Sequence, residues 1–252
     1  MKTLLALTLL LAAAPNGLAL EPASDPCLAV VRIKSHGASG TVIATTDGRS
    51  WILSCAHMFF DNYDRLDQGR PGKKIVIDGP SQPHAPPKLA PVRVLAVDRA
   101  QDLSLLEIDN GPYNYVPIAA AGFKPGRNLA SAGYDDMRWP ISRYSATMVA
   151  VAGDWTFTRE KPWHGRSGGG LFDLDGKCLI GVVNGYETSG PERGIYASHE
   201  SVVKFMAKCQ HLVALVPVRP AEPQRGYRNI NPPMIDWRRP NVFEQACPPG
   251  VP

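Results

Sequence analysis

The sequence predicts an all-β protein, either a sandwich or a barrel. Short runs rich in apolar and β-branched residues recur along most of the chain, and clusters of glycine, proline, aspartate and asparagine separate them. Only one stretch, near the C-terminal end, has the 3.6-residue periodicity of an amphipathic helix. Many short strands at near-regular spacing, with turn residues between them, are typical of sandwiches and barrels.

The first half of the chain contains six predicted strands. Asp47 and Gly48 lie between two of the apolar runs, and an Asp-Gly pair in that place predicts a β-hairpin. Two stretches rich in proline, glycine and polar residues, 68–73 and 79–88, separate later runs. The six runs are Leu28–Ile33, Gly40–Ala44, Trp51–Cys55, Lys74–Ile77, Val92–Val97 and Leu103–Ile108.

The second half of the chain contains six more runs and then the helix. The runs are Val116–Ala119, Asn128–Gly133, Ala146–Ala152, Trp155–Thr158, Leu179–Val183 and Gly194–Ala197. The helix begins at a cap supplied by Ser198 or Glu200, because a side-chain oxygen there can accept from a free N–H of the first turn. The apolar stripe of the helix, which we expect to pack into the core, comprises Val202, Val203, Phe205, Met206 and Cys209.

The two ends of the chain differ in composition from the middle. Residues 1–19 combine Lys2 with an apolar run of 11 residues from Leu4 to Ala14, which is typical of a secretory signal peptide. We therefore expect an exported protein, periplasmic or extracellular. Residues 216–252 are rich in proline and arginine, which predicts an extended tail that either lies on the barrel or binds a partner. Residues 27–215 are the predicted folded domain.

Charge and cysteine content argue against several kinds of partner. The formal net charge of +4 falls to +3 when Lys2 is removed with the signal peptide, so we expect neither nucleic acid nor a membrane as a partner. No Cys-x-x-Cys pair is present, and we expect no metal and no cofactor. Export permits disulfides, but five cysteines is an odd number. We expect Cys55, in an apolar run, to be unpaired, and the other four allow three pairings: Cys27, Cys178, Cys209 and Cys247.

A serine between glycines is the first candidate for chemistry. Ser167 lies in the segment Gly165–Gly170, where glycines allow a tight turn and can leave N–H groups directed at one point near the hydroxyl. A serine hydroxyl is a poor nucleophile by itself and needs a base and an oxyanion site. Glycine-serine clusters also form ordinary loops, so the candidate depends on the rest of the chain.

A histidine and an aspartate upstream supply the missing groups. His57 follows the apolar run Trp51–Ala56, which places its imidazole at a strand end. Asp102 immediately precedes the buried run Leu103–Ile108, where its carboxylate can accept a hydrogen bond from an imidazole N–H. Asp98 is a weaker candidate for the acid, because no strand follows it directly.

The order His, Asp, Ser and the flanking residues resemble the trypsin-like (chymotrypsin-fold) serine proteases. Leu53–His57 is similar to the family's T-A-A-H or T-C-A-H segment, Asp102–Leu106 to its D-L-A-L-L segment, and Gly165–Gly169 to its G-N-S-G-G or G-D-S-G-G segment. The resemblance covers residues 28–209. Within the family, the chain resembles the bacterial trypsin-like peptidases related to the HtrA/DegP group.

The resemblance implies two six-stranded antiparallel β-barrels, with the site between them and a C-terminal helix. It also implies a serine endopeptidase that cleaves protein or peptide substrates through an acyl-enzyme. His57 would be the general base, Asp102 would orient it, and Ser167 would be the nucleophile. The backbone N–H groups of Gly165 and Ser167 would form the oxyanion hole.

The sequence also departs from the family. Arg166 occupies the position where zymogen-activated members carry an aspartate that pairs with a newly cut N-terminal amine, so we expect no activation by N-terminal insertion. The proline-rich end predicts no PDZ domain after the peptidase region.

By the resemblance, Lys161 lies near the floor of the S1 pocket and would favour an acidic P1 residue, and Asn184 would brace the catalytic acid beside bound substrate. We expect His164 to be an exposed loop residue.

Two other functions remain open from the sequence. Gly165–Gly169 also fits the G-x-S-x-G nucleophile elbow of α/β-hydrolase esterases, although that fold requires a strand before the serine and a helix after it. A catalytically silent trypsin-fold binding protein would also carry these segments. Labelling of the serine by a fluorophosphonate separates an enzyme from a silent protein.

Overall fold

We describe a computed structural model of the chain. The structure describes residues 22–46, 48–60, 77–78, 92–109, 113–122, 126–187 and 190–212. The predicted signal peptide (1–19), the predicted tail (216–252) and most of the Lys74–Ile77 run lie outside the described residues. Within these ranges, no helix has both the length and the apolar character needed to cross a membrane.

The first half of the described chain forms one antiparallel sheet of six strands. Its order is β4-β1-β2-β3-β6-β5, so β3 and β6 are both interior strands with a neighbour on each side. Their side chains are almost all buried, on both faces, in agreement with their mainly apolar sequences. The strands are β1 (Val30–Ile33), β2 (Ala38–Thr46), β3 (Arg49–Ser54), β4 (Ile77–Asp78), β5 (Val92–Asp98) and β6 (Leu103–Asp109).

The second half forms an antiparallel sheet that closes on itself. Its order is β8-β7-β11-β12-β13-β10-β9. A single residue, Thr147, separates β8 from β9, so one bent segment pairs with β7 along its first part and with β10 along its second. The result is a six-stranded barrel. The strands are β7 (Leu129–Gly133), β8 (Ser142–Ala146), β9 (Met148–Ala152), β10 (Trp155–Thr158), β11 (Gly170–Asp173), β12 (Cys178–Glu187) and β13 (Arg193–Ala197).

These two sheets confirm the predicted chymotrypsin-like all-β fold. A shared apolar core lies between them and includes Leu53, Leu105, Phe172 and Leu179. Burial of such side chains is the main term that stabilises the pairing of the two halves, at about 1.5–3 kcal/mol for each fully buried Leu or Phe.

The C-terminal helix is present as predicted. Helix α1 spans His199–Lys208, and Ser198 caps it by accepting a hydrogen bond from the N–H of Ser201 at 3.2 Å. Val202 and Phe205 are buried against the shared core. The predicted stripe was too wide, since Val203 is 43% exposed. One face of a short helix is enough to cover the edge of this core.

Two strands escaped the sequence analysis, each for a different reason. In β8, exposed polar side chains alternate with half-buried ones. The sequence therefore lacks the run of apolar residues that would predict a strand. β11 directly follows the glycine-rich loop and has a glycine at one end and an aspartate at the other. Only its two central residues are apolar, which is too few to predict a strand.

The predicted strand Val116–Ala119 is wrong. Its residues make only an isolated bridge, between Ile118 and Leu179. Pro117 has no N–H, and the segment passes from one half of the fold to the other: the N–H of Val116 donates to Val42 in β2, and that of Ala119 donates to β12. The run is apolar because it is the buried connection between the two sheets.

The disulfides expected from export are not found among the described cysteines. No disulfide joins Cys27, Cys55, Cys178 and Cys209 to one another, and all four are buried. Burial, followed by the nearby Asp25 carboxylate, raises the pKa of the Cys27 thiol to about 12, and burial also raises the pKa of Cys209. Cys247 lies outside the described residues.

An ion pair between Lys208 and Asp98 ties helix α1 to the first sheet. Burial alone would raise the pKa of Asp98, but hydrogen bonds from Lys208 Nζ (2.8 Å) and the Gln101 N–H outweigh it and lower the pKa. A carboxyl group with a lowered folded-state pKa contributes stability above its unfolded pKa and loses that contribution as the pH falls.

We therefore expect Lys208→Met to lower the melting temperature at neutral pH by about 2 °C, the effect of a partly exposed pair worth under about 1 kcal/mol. The difference from wild type should shrink as the pH falls below the ordinary carboxyl value of 3.8 and through the lowered pKa of the folded protein. Thermal melts at pH 7 and pH 3 measure it. An equal difference at both pH values would contradict the ion-pair explanation.

Candidate active site

The structure brings the three predicted catalytic residues to one place. His57 begins a 3₁₀ helix (His57–Phe59) just beyond β3, and Asp102 lies in the turn that leads into β6. Ser167 lies in the loop before β11 of the second sheet. The two sheets are joined here, because the N–H of Ser39 in β2 donates to the carbonyl of Ser167 at 2.8 Å.

Asp102 is the centre of the hydrogen-bond network. Its Oδ1 accepts from the N–H of Ala56 (3.0 Å) and from that of His57 (2.7 Å). Its Oδ2 lies 2.8 Å from His57 Nδ1 and 2.5 Å from Asn184 Nδ2. A carboxylate can only accept, so the imidazole must carry a proton on Nδ1, which leaves Nε2 as the atom able to act as a base.

The backbone of Asp102 is held in an unusual conformation. Its φ is +50°, in the left-handed region, which aspartate and asparagine enter more readily than most residues. The residue is 7% exposed, and yet its carboxylate has four donors. A buried charge of this kind is stable only when its acceptor sites are filled.

Ser167 is nearly buried, and its hydroxyl donates to the backbone carbonyl of Asn184 at 3.3 Å. Its proton is therefore directed at that carbonyl oxygen. A rotation about the Cα–Cβ bond of Ser167 would therefore precede proton transfer, and catalytic hydrogen bonds that tighten only with substrate bound are common.

A tight turn precedes Ser167. It spans Trp163–Arg166 and is closed by a hydrogen bond of 3.2 Å from the N–H of Arg166 to the carbonyl of Trp163. Its third residue, Gly165, has a φ of +84°, which is the signature of a type II turn. A Cβ at Gly165 would lie 2.5 Å from the carbonyl oxygen of Tyr134, so only glycine fits.

The carbonyls around Ser167 fix the direction of two N–H groups. The carbonyl of His164 accepts from the N–H of Asp136 at 2.6 Å, and the carbonyl of Arg166 accepts from that of Gly169 at 2.8 Å. In a trans peptide the N–H points away from the carbonyl, so the N–H groups of Gly165 and Ser167 point away from these contacts. Neither donates to an acceptor within the part of the chain that the structure describes.

The sequence analysis missed Ser39, which links the turn to both sheets. Its hydroxyl donates to the carbonyl of Gly165 (2.8 Å) and accepts from the N–H of Tyr134 (2.9 Å), and the residue is fully buried. Nothing in the sequence near Ser39 signals this role, because its partners lie far away along the chain.

Ser39→Ala should lower the free energy of unfolding by about 3 kcal/mol. The change leaves two buried backbone groups without a partner, at about 1–3 kcal/mol each. Ser50→Ala is the matched control, since Ser50 is equally buried but, within the described part of the chain, its hydroxyl hydrogen-bonds only to that of Thr45. Urea denaturation of both variants measures the difference, and equal losses would refute the bridging role of Ser39.

Arg166 is fully buried, which is rare for an arginine. Its guanidinium forms a bidentate pair with Asp135, with Nε to Oδ1 at 2.8 Å and Nη2 to Oδ2 at 2.7 Å. It also donates to the carbonyl of Ser131 (2.9 Å) and to the hydroxyl of Ser142 (2.8 Å). The sequence analysis recognised Arg166 as a departure from the family but did not find Asp135.

Lys161 and His164 lie on the exposed side of the turn. Lys161 Nζ donates to Glu192 Oε1 at 2.7 Å, which raises the pKa of the lysine, and lies 3.9 Å from the centre of the Tyr186 ring. The preference for an acidic P1 residue stays a prediction, and such a residue would have to compete with Glu192. His164 is exposed, as expected, and its ring meets the edge of Tyr186.

The surroundings of Ser167 do not match a nucleophile elbow. A strand, β11, follows the serine where the elbow requires a helix, and no strand leads directly into it. Among the described residues, no group of three or more His, Cys, Asp or Glu side chains is arranged to hold a metal ion.

Several solved structures with a similar fold are proteases. An inactive serine-to-alanine mutant of Rv3671c from M. tuberculosis has a TM-score of 0.54 and 22% identity, over 77% of this chain and 91% of that one. The active form of the same protease has a TM-score of 0.53 and 19% identity, over 79% and 94%. The serine endoprotease of Yersinia pestis has a TM-score of 0.57 and 18% identity, over 73% of this chain and 63% of that one.

No curated protein matches the sequence. The family model of the trypsin-like peptidase domain matches residues 38–182, more than half of the chain. That range contains all three of the candidate catalytic residues. The chain therefore belongs to the trypsin-like peptidase family.

Proposed function

We propose that this protein is an exported serine endopeptidase that uses His57, Asp102 and Ser167. The observation that carries the proposal is the carboxylate of Asp102, buried and bound at once to His57 Nδ1, to two backbone N–H groups and to Asn184. This network fixes the orientation of the imidazole and directs its basic nitrogen away from the acid. Structural packing alone does not require a buried acid with this set of donors.

The reaction would begin with attack of Ser167 Oγ on the scissile carbonyl carbon, while His57 Nε2 takes the hydroxyl proton. The carboxylate of Asp102 would stabilise the imidazolium that forms. The negative oxygen of the tetrahedral intermediate would accept from the N–H groups of Gly165 and Ser167. Collapse of the intermediate breaks the C–N bond, and His57 returns the proton to the leaving amine. Water then repeats the sequence on the acyl-enzyme and releases the acid.

Protein or peptide substrates are supported by the family and by the similar structures, whose names describe a protease and a serine endoprotease. Export is proposed from the composition of residues 1–19. The tail from 216 is proposed as a binding segment for a partner protein, from its proline and arginine content.

A fluorophosphonate probe tests the catalytic proposal. Ser167 Oγ would attack phosphorus and displace fluoride, and this step requires the base and the oxyanion site as well as the serine. We expect labelling of wild type, none of Ser167→Ala, and wild-type labelling of Ser145→Ala, since Ser145 is an exposed serine on β8. Absence of labelling in a folded wild-type sample would contradict the enzyme and favour the catalytically silent protein instead.

A peptide library then distinguishes a peptidase from an esterase. Cleavage of internal peptide bonds by wild type, and not by Ser167→Ala, supports the endopeptidase. Hydrolysis of ester substrates alone would contradict it. The residues found before the cleaved bond would also test the acidic P1 preference expected from Lys161.

A further inference from the structure

The segment that follows β7 contacts the serine turn on both sides of Gly165, whose N–H is the first proposed oxyanion donor. Asp135 pairs with the guanidinium of Arg166 through two hydrogen bonds. The next residue, Asp136, donates its N–H to the carbonyl of His164. The backbone of Asp136 and the side chain of Asp135 therefore contact the residues immediately before and immediately after Gly165.

The geometry of this segment is fixed by contacts on both sides. Asp136 and Met137 have φ values of +48° and +57°, a left-handed pair that the chain adopts only where surrounding contacts hold it. Arg32 Nη1 in β1 donates to the carbonyl of Met137 at 2.6 Å. The Arg166 guanidinium also lies over the ring of Tyr144, 4.4 Å from the ring centre.

We propose that the Asp135–Arg166 ion pair keeps the oxyanion turn in its competent orientation, which makes Asp135 a positioning residue for catalysis. This inference rests on the proposed function. If the pair is lost, the segment is released, and the carbonyl of His164 loses the Asp136 N–H as its donor. The peptide between His164 and Gly165 can then turn over, and a turned peptide presents a carbonyl oxygen where the N–H must meet the developing negative charge.

As a consequence, the oxyanion turn is oriented by two residues of the folded domain and not by a newly cut N-terminus. Both members of the pair lie within the folded domain, 31 residues apart. A cut N-terminal amine is positive, like Arg166, and could not pair with it; the opposite charge beside position 166 comes from Asp135. The side chain of Arg166 is 0% exposed and that of Asp135 is 23% exposed, so solvent screens the pair only weakly.

Asp135→Asn is the test, with three readouts. The rate of fluorophosphonate labelling should fall roughly 10- to 100-fold, part of the roughly 100- to 1,000-fold effect of removing one oxyanion donor outright. The ³¹P chemical shift of the phosphonylated serine should move towards that of the denatured adduct, because the phosphoryl oxygen loses a donor. Asp135→Glu retains the carboxylate and should recover much of the rate. A purely structural role would lower the melting temperature and leave the ³¹P shift unchanged.

Glu107→Gln is the matched control. It breaks an arginine–carboxylate pair of the same length, Arg93 Nη2 to Glu107 Oε1 at 2.7 Å, in the first sheet and away from the serine loop. It should label at the wild-type rate. If Asp135→Asn does not fold, Ser142→Ala carries the test instead, since it removes one hydrogen bond of the guanidinium without leaving a charge unpaired, and it should slow labelling several-fold.

The outcomes separate this inference from the function on which it rests. Wild-type rates and an unchanged ³¹P shift in Asp135→Asn, or a wild-type rate in Ser142→Ala where Asp135→Asn does not fold, overturn the positioning role and leave the endopeptidase intact. A folded wild type that is not labelled overturns both.

Discussion

Asp102→Asn should reduce the rate of fluorophosphonate labelling about 10,000-fold while the protein remains folded. Asparagine tolerates the left-handed backbone found here, and its oxygen can still accept from the N–H groups of Ala56 and His57. Its amide nitrogen, however, would face His57 Nδ1 as a donor. The imidazole would then have to accept at Nδ1 and carry its proton on Nε2, where it cannot take the proton of the serine.

A second donor makes the change more severe in this protein. Asn184 Nδ2 already donates to Oδ2 of Asp102, and an amide nitrogen at that position would place two donors against each other. We expect Asn184 to rotate or the pair to separate, so Asp102→Asn should also lower the melting temperature slightly.

The measurement is the second-order labelling constant, compared with that of Asp98→Asn. Asp98 is the other carboxylate at the turn between β5 and β6, and its partner is Lys208 on the helix. Asp98→Asn should label like wild type. Equal labelling of Asp102→Asn and wild type would show that the acid does not orient His57.

The catalytic candidates could be predicted from the sequence because each lies beside a strand or turn with a strong local pattern. An apolar run ends at His57, and another begins immediately after Asp102. The glycines around Ser167 mark a turn whatever the fold. Local patterns of this kind depend on the nearest few residues, so a single sequence contains them.

The supporting residues could not be predicted from the sequence, because their contacts join distant parts of the chain. The hydroxyl of Ser39 meets the carbonyl of Gly165 across 126 residues, and Asp135 meets Arg166 across 31. A buried arginine must have an acidic partner, but which of the 23 acidic residues it pairs with is decided by the fold alone. For the same reason, composition could not distinguish the Val116–Ala119 run from a strand. A connection buried between two sheets is as apolar as a strand buried within one sheet.

Gly168→Ala should lower the free energy of unfolding by about 4 kcal/mol and the melting temperature by roughly 10 °C. Gly168 has a φ of +82°, and a Cβ there would lie closer than 3.0 Å to Ser54 Oγ, to the carbonyl oxygen of Ser39 and to the backbone nitrogen of Cys55. Two of these atoms are backbone of the first sheet, so the serine loop itself would have to move away.

The matched control for Gly168→Ala is Gly153→Ala, because Gly153 also has a positive φ, +56°, but a Cβ added there would have no neighbouring atom within 4 Å. Gly153→Ala should cost about 1 kcal/mol, the conformational term alone, and about 3 °C. Thermal melts of the two variants separate conformational cost from steric cost. Equal shifts would mean that the first sheet yields to the added methyl group. A large shift for Gly168→Ala, with slower probe labelling of the adjacent Ser167, would show that the close contact between the two sheets also positions the nucleophile.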